Sequence, residues 1–215
     1  MKAFIYDMDG VIVDSEPVHM AAEMKLFEKL GVKGMTEEKF HSYQGSSDLN
    51  AFAAMRQDFH LKEDAATLAK TKKYLFDKMM HEQGATPIPG VLGLIERTHA
   101  LREKGLKTAI ASSSDRAFIE FVTGDLGITD KFDLIESGAE LPLSKPDPAI
   151  YLKTAADLMV APADCVVIED TTNGVKAAKA AGMYCIGFIS PHSGKQDLSL
   201  ADKIVDNMDD VQPTL

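Results

Sequence analysis

Apolar residues along this chain follow two rhythms. Short continuous runs at Ala3-Phe4-Ile5-Tyr6, Lys107 to Ala111, Phe132 to Ile135, Cys165-Val166-Val167-Ile168 and Tyr184 to Phe188 read as buried strands. Between them the spacing turns helical. Val91, Leu94, Ile95, Thr98 and Leu101 share one face ahead of Gly105, and Phe118, Ile119 and Val122 follow the capping run Ser112-Ser113-Ser114-Asp115. Pro148 to Leu158 reads as a helix capped by Asp147. An Ala-rich helix opens at Thr171-Thr172-Asn173-Gly174 and closes at Gly182. Buried strands alternating with helices predict a parallel sheet covered on both faces.

Residues 16–82 carry the helical rhythm alone. Pro17 suits a first turn, Met20, Met24 and Phe27 form the apolar face, and Gly31 is the stop. Thr36-Glu37-Glu38 starts a second helix, Gly45-Ser46-Ser47-Asp48 breaks it and starts a third, and Leu61 to Glu82 is helical. Gly84 to Gly90, with Pro87 and Pro89, reads as a linker. The predicted fold is therefore α/β: a doubly wound parallel-sheet core from residues 1–15 and 86–215, with an all-helical insert, residues 16–85, after the first strand. The junctions at Asp14–Glu16 and Gly84–Gly90 are hinge-like and predict an insert that closes on the core.

Composition narrows the partners. Among 215 residues the formal net charge is −10, which argues against nucleic acid and anionic membranes. An anionic small substrate stays open, given a local Lys or a metal. Cys165 and Cys185 lie in apolar runs and read as buried reduced thiols, with no disulfide framework. Acids at positions 7 and 9 are unlike the apolar stretch of a signal peptide, and no run is long enough to span a bilayer. The expectation is a reducing, cytoplasmic location and a monomer.

Chemistry gathers at strand ends, where ligands bind in such sheets. The first strand ends in Asp7-Met8-Asp9-Gly10-Val11, the second in Ser112. Lys145-Pro146-Asp147-Pro148 follows the third, and Glu169-Asp170 ends the fourth. Each has a plain alternative: turn acids, a helix cap, a solvated loop charge. Two carboxylates two apart are also suited to holding Mg2+ or to dividing the work of a nucleophile and an acid/base.

Asp7-Met-Asp9-Gly-Val, Ala111-Ser112-Ser113, Lys145-Pro146 and Ile168-Glu169-Asp170, in this order, resemble the four motifs of the haloacid dehalogenase (HAD) superfamily. The resemblance covers essentially the whole chain and implies a HAD-like Rossmannoid core with a helical cap. Val13-Asp14-Ser15-Glu16-Pro17 is similar to the subgroup of β-phosphoglucomutases and sugar-phosphate phosphatases.

The resemblance implies phosphoryl transfer. Asp7 is then the nucleophile that forms an aspartyl-phosphate, and Asp9 the general acid and later base. Lys145 and Ser112 stabilise the phosphoryl group, with the Ser113 N–H adding to them. Mg2+ is held by Asp7, Asp170 and the Asp9 carbonyl, with Glu169 as a ligand or a partner behind it. Dehalogenase-type and phosphonatase-type members depart at the second Asp, so Asp9 favours a phosphate ester or anhydride. His19 matches a substrate-side His of hexose-phosphate members, its plain alternative being a helix-face residue. Gly45, Ser46 and Ser47 match the cap's substrate loop. Mutase-type members carry an Arg where this chain has Asp48. Lys72 and Lys73 read as a solvated helix face rather than as cap cations. The expected partner is a small phosphorylated metabolite, and the expected activity is a Mg2+-dependent phosphatase acting on a sugar phosphate. The alternatives are a β-phosphoglucomutase and a non-catalytic phosphate-sensing module.

Overall fold

The computed structural model describes residues 1–34, 36, 39, 43 and 48–213, Asp48 by its backbone. Six parallel strands form one sheet: β1 (Ala3–Tyr6), β2 (Lys107–Ser112), β3 (Leu134–Ser137), β4 (Cys165–Glu169), β5 (Tyr184–Phe188) and β6 (Lys203–Val205). Their order is β3-β2-β1-β4-β5-β6. The chain runs outward from β1 through β2 to β3, then returns to the other side of β1. The switch in direction therefore falls at β1, where such sheets open a crevice at the strand ends.

Alternation along β1 covers both faces. Ala3 and Ile5 join a buried cluster with Ile150, Tyr151 and Val175, from α6 (Ala149–Asp157) and α7 (Thr172–Ala180). On the other face the Tyr6 hydroxyl lies 2.8 Å from the Thr98 hydroxyl of α4 (Val91–Ala100), and the Tyr6 ring meets Phe132 edge-on at 5.7 Å. Helix α5 (Arg116–Asp125) starts where the Asp115 side chain accepts the Phe118 N–H.

Two strands differ from the sequence pattern. The third begins at Leu134 rather than Phe132. Asp133 takes both backbone groups of Thr108, its N–H donating to the carbonyl and its carboxylate accepting the N–H, and ladder pairing starts one residue later, at Leu134 opposite Ala109. Phe132 is apolar for packing, not for pairing. The sixth strand is three residues long with two exposed, so it carries no apolar run. Likewise α4 ends at Ala100, and a short 3-10 turn continues to Gly105 at φ +91°.

The chain divides into two compact units, Met1–Asp14 with Ala85–Leu215, and Ser15–Gly84. The second holds α1 (Glu16–Lys29), α2 (Asp48–Phe59) and α3 (Ala65–Gln83) among its described residues. The buried face of α1 is Val18, Ala22, Leu26 and Phe27, and Met24 is exposed, so the helix turns a neighbouring side inward from the expected one. The N-cap of α3 is Asp64, whose carboxylate accepts the Thr67 N–H. Lys72 is buried, contrary to the solvated reading. It stands four residues from both Leu68 and Phe76, and its ammonium lies 5.9 Å from the Phe76 ring centre. Lys73 does face outward, paired with Asp77 at 2.8 Å. Both cysteines are buried free thiols, and burial pushes the Cys185 thiol up to about 12. Among the described residues no helix is long and apolar enough to cross a membrane.

Candidate active site

The register of three strands assembles the site. Tyr6 lies between Ile110 and Ile168, so the next residues, Asp7, Ala111 and Glu169, arrive together at the carboxyl edge. The Asp7 N–H donates to the Ile168 carbonyl at 3.0 Å and holds that alignment one residue past the strand.

Lys145 joins them from the loop before α6. Its ammonium donates to Asp7 Oδ1 at 2.8 Å, to Glu169 Oε1 at 2.7 Å and to the Ala111 carbonyl at 3.3 Å. Glu169 is fully engaged. Oε1 also accepts from the Tyr151 hydroxyl at 2.8 Å, and Oε2 accepts from the Thr171 N–H and hydroxyl at 3.1 and 3.0 Å. A Cβ at Gly174 would fall inside this carboxylate, so the first turn of α7 passes it only as glycine.

Asp170 stands beside them, 2% exposed. Its Oδ2 accepts from the Ser193 hydroxyl, while its buried Oδ1 has no hydrogen-bond partner among the described residues. One carboxylate oxygen each from Asp7, Glu169 and Asp170 lies within 4.8 Å of the others. Three carboxylates against one ammonium leave two negative charges in a buried space, which is the charge of one divalent cation. All donors are oxygen, the set a hard cation prefers. The orphaned Oδ1 and the unbalanced charge fit a metal.

The electrostatics carry the same imbalance. Burial, then the Glu169 charge, push the Asp7 carboxyl up to about 7 against the pull of Lys145. Burial, then Glu169 and Asp7, raise Asp170 well above the ordinary carboxylate range. Burial opposes ionisation of Glu169 too, but Lys145 outweighs it and its pKa falls. Lys145 in turn is raised, because the two carboxylates overcome the cost of burying its charge.

Asp9 occupies a separate, partly exposed position. Its Oδ2 accepts from the Ser114 hydroxyl at 2.8 Å, with Ser112 Oγ at 3.5 Å. Gly10 follows at φ +75°, a conformation glycine adopts without strain. Ser112 is fully buried and accepts the Ser114 N–H at 3.0 Å, and Ser113 is exposed. The structure thus brings Asp7, Lys145, Glu169 and Asp170 into one cluster and gives Asp9 a hydroxyl partner of its own.

Ser114 and Thr171, which the sequence presents only as helix-capping residues, and Tyr151 and Ser193, which it does not mark, complete the polar surroundings of the site. Ser114 had a usable signal, two places beyond Ser112 in the same serine run. His19 lies in the helical unit, stacked on Phe76 with ring centres 3.9 Å apart and planes 5° from parallel. Gly45, Ser46, Ser47 and the side chain of Asp48 lie outside the described residues.

Residues 4–188 match the haloacid dehalogenase-like hydrolase family. A phosphorylated carbohydrates phosphatase of Thermotoga maritima is 31% identical over 187 residues, covering 85% of this chain and 82% of its own length. A beta-phosphoglucomutase of Bacillus subtilis is 32% identical over 201 residues, covering 87% and 83%. The fold is similar to that of CbbY from Rhodobacter sphaeroides, solved in complex with phosphate, with a TM-score of 0.80, 26% identity and coverage of 97% of this chain and 95% of that one. A match across most of the sheet and its strand-end residues is decisive: the chain belongs to the haloacid dehalogenase-like hydrolase family.

Proposed function

We propose that the protein is a Mg2+-dependent phosphatase that hydrolyses a small phosphorylated metabolite, a sugar phosphate, through an aspartyl-phosphate on Asp7. The observation that carries this reading is the Lys145 bridge between Asp7 and Glu169. It fixes one oxygen of a buried carboxylate at a strand end and places a cation where phosphoryl oxygens would gather.

The chain's residues divide the work as follows. The second Asp7 oxygen attacks phosphorus, and the bond to the leaving sugar oxygen breaks. Asp9, protonated at that stage, gives its proton to that oxygen, and Ser114 aims its carboxyl group. Lys145 and the Ser112 hydroxyl steady the phosphoryl oxygens, with the Ser113 N–H beside them. In the second half Asp9 takes a proton from water, water attacks phosphorus, and the Asp7 carboxylate leaves. Asp7 and Asp170, with the Asp9 carbonyl, would hold Mg2+, which offsets phosphoryl charge so that an anionic nucleophile can approach. Glu169, fully hydrogen-bonded, orients Lys145. His19 and the loop Gly45-Ser46-Ser47 belong to the substrate side of this reading. The likeness to a phosphatase of phosphorylated carbohydrates from Thermotoga maritima supports a carbohydrate phosphate as substrate class.

Mutase activity is the second reading, favoured by the 32% identity to the Bacillus enzyme. Both reactions begin with transfer to Asp7. A mutase must then hold a second phosphate, and this chain offers Asp48 where mutase-type members offer Arg. Like charges about 4 Å apart at an effective dielectric near 20 repel by about 4 kcal/mol, which disfavours that step. The test is phosphate release from a panel of phosphorylated metabolites with Mg2+. Release from sugar monophosphates supports hydrolysis. Conversion of β-glucose 1-phosphate to glucose 6-phosphate outrunning phosphate release would install the mutase.

A further inference from the structure

We propose that Ser193 is a positioning residue for the metal-binding carboxylate of Asp170, carried on a strap, Ser190–Gln196, that follows β5. The inference rests on the reading of Asp170 as a cation ligand. Ser193 is buried, and its hydroxyl donates to Asp170 Oδ2. The bond occupies one carboxylate oxygen and leaves the other, Oδ1, buried and unpartnered among the described residues. A carboxylate held through one oxygen keeps a fixed orientation, with Oδ1 left free of any hydrogen bond among the described residues. Gly10 completes the clamp. A Cβ there would overlap Asp170 Oδ2 and stand 2.8 Å from Ser193 Oγ.

The strap is anchored on both sides of Ser193. On one side, His192 Nδ1 lies 2.8 and 3.0 Å from the two carboxylate oxygens of Asp14. On the other, Gln196 Oε1 accepts the Thr172 N–H and hydroxyl at 3.0 and 3.1 Å, and its amide donates to the Ser193 carbonyl at 2.9 Å. The Asp197 N–H adds a bond to the Thr172 hydroxyl at 2.8 Å. The strap is thereby tied to the first residue of α7, two residues after Asp170. Thr171, between them, holds Glu169. The strap thus bonds Asp170 directly and Thr172 beside the residue that holds Glu169.

Such partners behind a metal ligand typically govern affinity by about 10- to 100-fold. The experiment is calorimetric titration of the substrate-free full chain with MgCl2, for wild type and Ser193→Ala. The expected result is a Kd for Mg2+ about tenfold or more weaker in the variant. The activation constant for Mg2+ should rise in parallel, while kcat at saturating Mg2+ stays near wild type, a split that loss of structure would not produce. If Ser193→Ala does not fold, Gln196→Ala carries the test, since it loosens the strap without touching Asp170. A folded Gln196→Ala with weakened Mg2+ binding supports the inference. Mg2+ affinity equal to wild type in the folded variant overturns it and leaves the phosphatase reading standing. Absence of Mg2+ binding by wild type overturns both.

Discussion

Lys145 Nζ lies 2.8 Å from Asp7 Oδ1, at positions where both side chains are about nine-tenths buried. An ammonium so placed is the sole counter-charge that the described residues offer three buried acids. Removing it by Lys145→Met should destabilise the metal-free protein by about 3–5 kcal/mol, since breaking a buried pair leaves uncompensated charge. Turnover should fall by about 10²–10³, the loss expected for one donor to a developing charge. Urea unfolding and steady-state phosphate release check the two halves.

Metal and proton should compete at this site. The Asp7 carboxyl is raised from 3.8 to about 7 in the metal-free protein. The folded chain therefore binds a proton that the unfolded chain has released between those values. By linkage, the contribution of Asp7 to stability declines as pH rises from about 4 to about 7. Mg2+ should reverse this, and its stabilising effect should grow across the same window. Melting temperatures with and without Mg2+ at the two ends of the window test it. An equal Mg2+ shift at both ends, or one that Asp170→Asn leaves intact, would count against the assignment.

Ser114 should matter in proportion to the proton the leaving group needs. Its hydroxyl is 2.8 Å from Asp9 Oδ2. Asp9→Asn should slow sugar-phosphate hydrolysis by about 10²–10⁴, the usual worth of a general acid. Ser114→Ala should slow it less. p-Nitrophenyl phosphate, whose leaving group departs without a proton, should suffer little at the transfer step in either variant. Equal losses on both substrates at the transfer step, read from the burst of leaving group, would detach Asp9 from the acid role.

His19 should weaken the fold in acid. Burial, with the charges of Lys72 and Lys73, lowers its pKa well below 6.5. The unfolded chain then takes up a proton that the folded one refuses, so stability falls as pH drops below about 6.5. His19→Gln should flatten that slope in denaturant titrations. An unchanged slope would show that the ring titrates freely.

The strand-end acids were legible because each follows directly on an apolar run. Asp7 after Tyr6, Ser112 after Ala111 and Glu169 after Ile168 are local signals, and parallel register sets Asp7 level with Glu169 and Ser112 one residue further on. Contacts between distant stretches left no such trace. Tyr151 reaches Glu169 across 18 positions and Ser193 reaches Asp170 across 23, and neither lies in a distinctive pattern. At Lys72 charge argues for solvent and its place four residues from Leu68 and Phe76 for the interior, and the packing prevails. The strand Lys203–Val205 escaped because only Val205 is buried.

The proposed function stands on passage of phosphate through Asp7. Wild type mixed with a sugar monophosphate and Mg2+, quenched in acid and reduced with borohydride, should yield a peptide in which the Asp7 carboxyl has become an alcohol. Asp7→Asn should yield no such peptide and release no phosphate. Wild-type turnover by Asp7→Asn, or reduction at another carboxylate, would exclude Asp7 as the nucleophile.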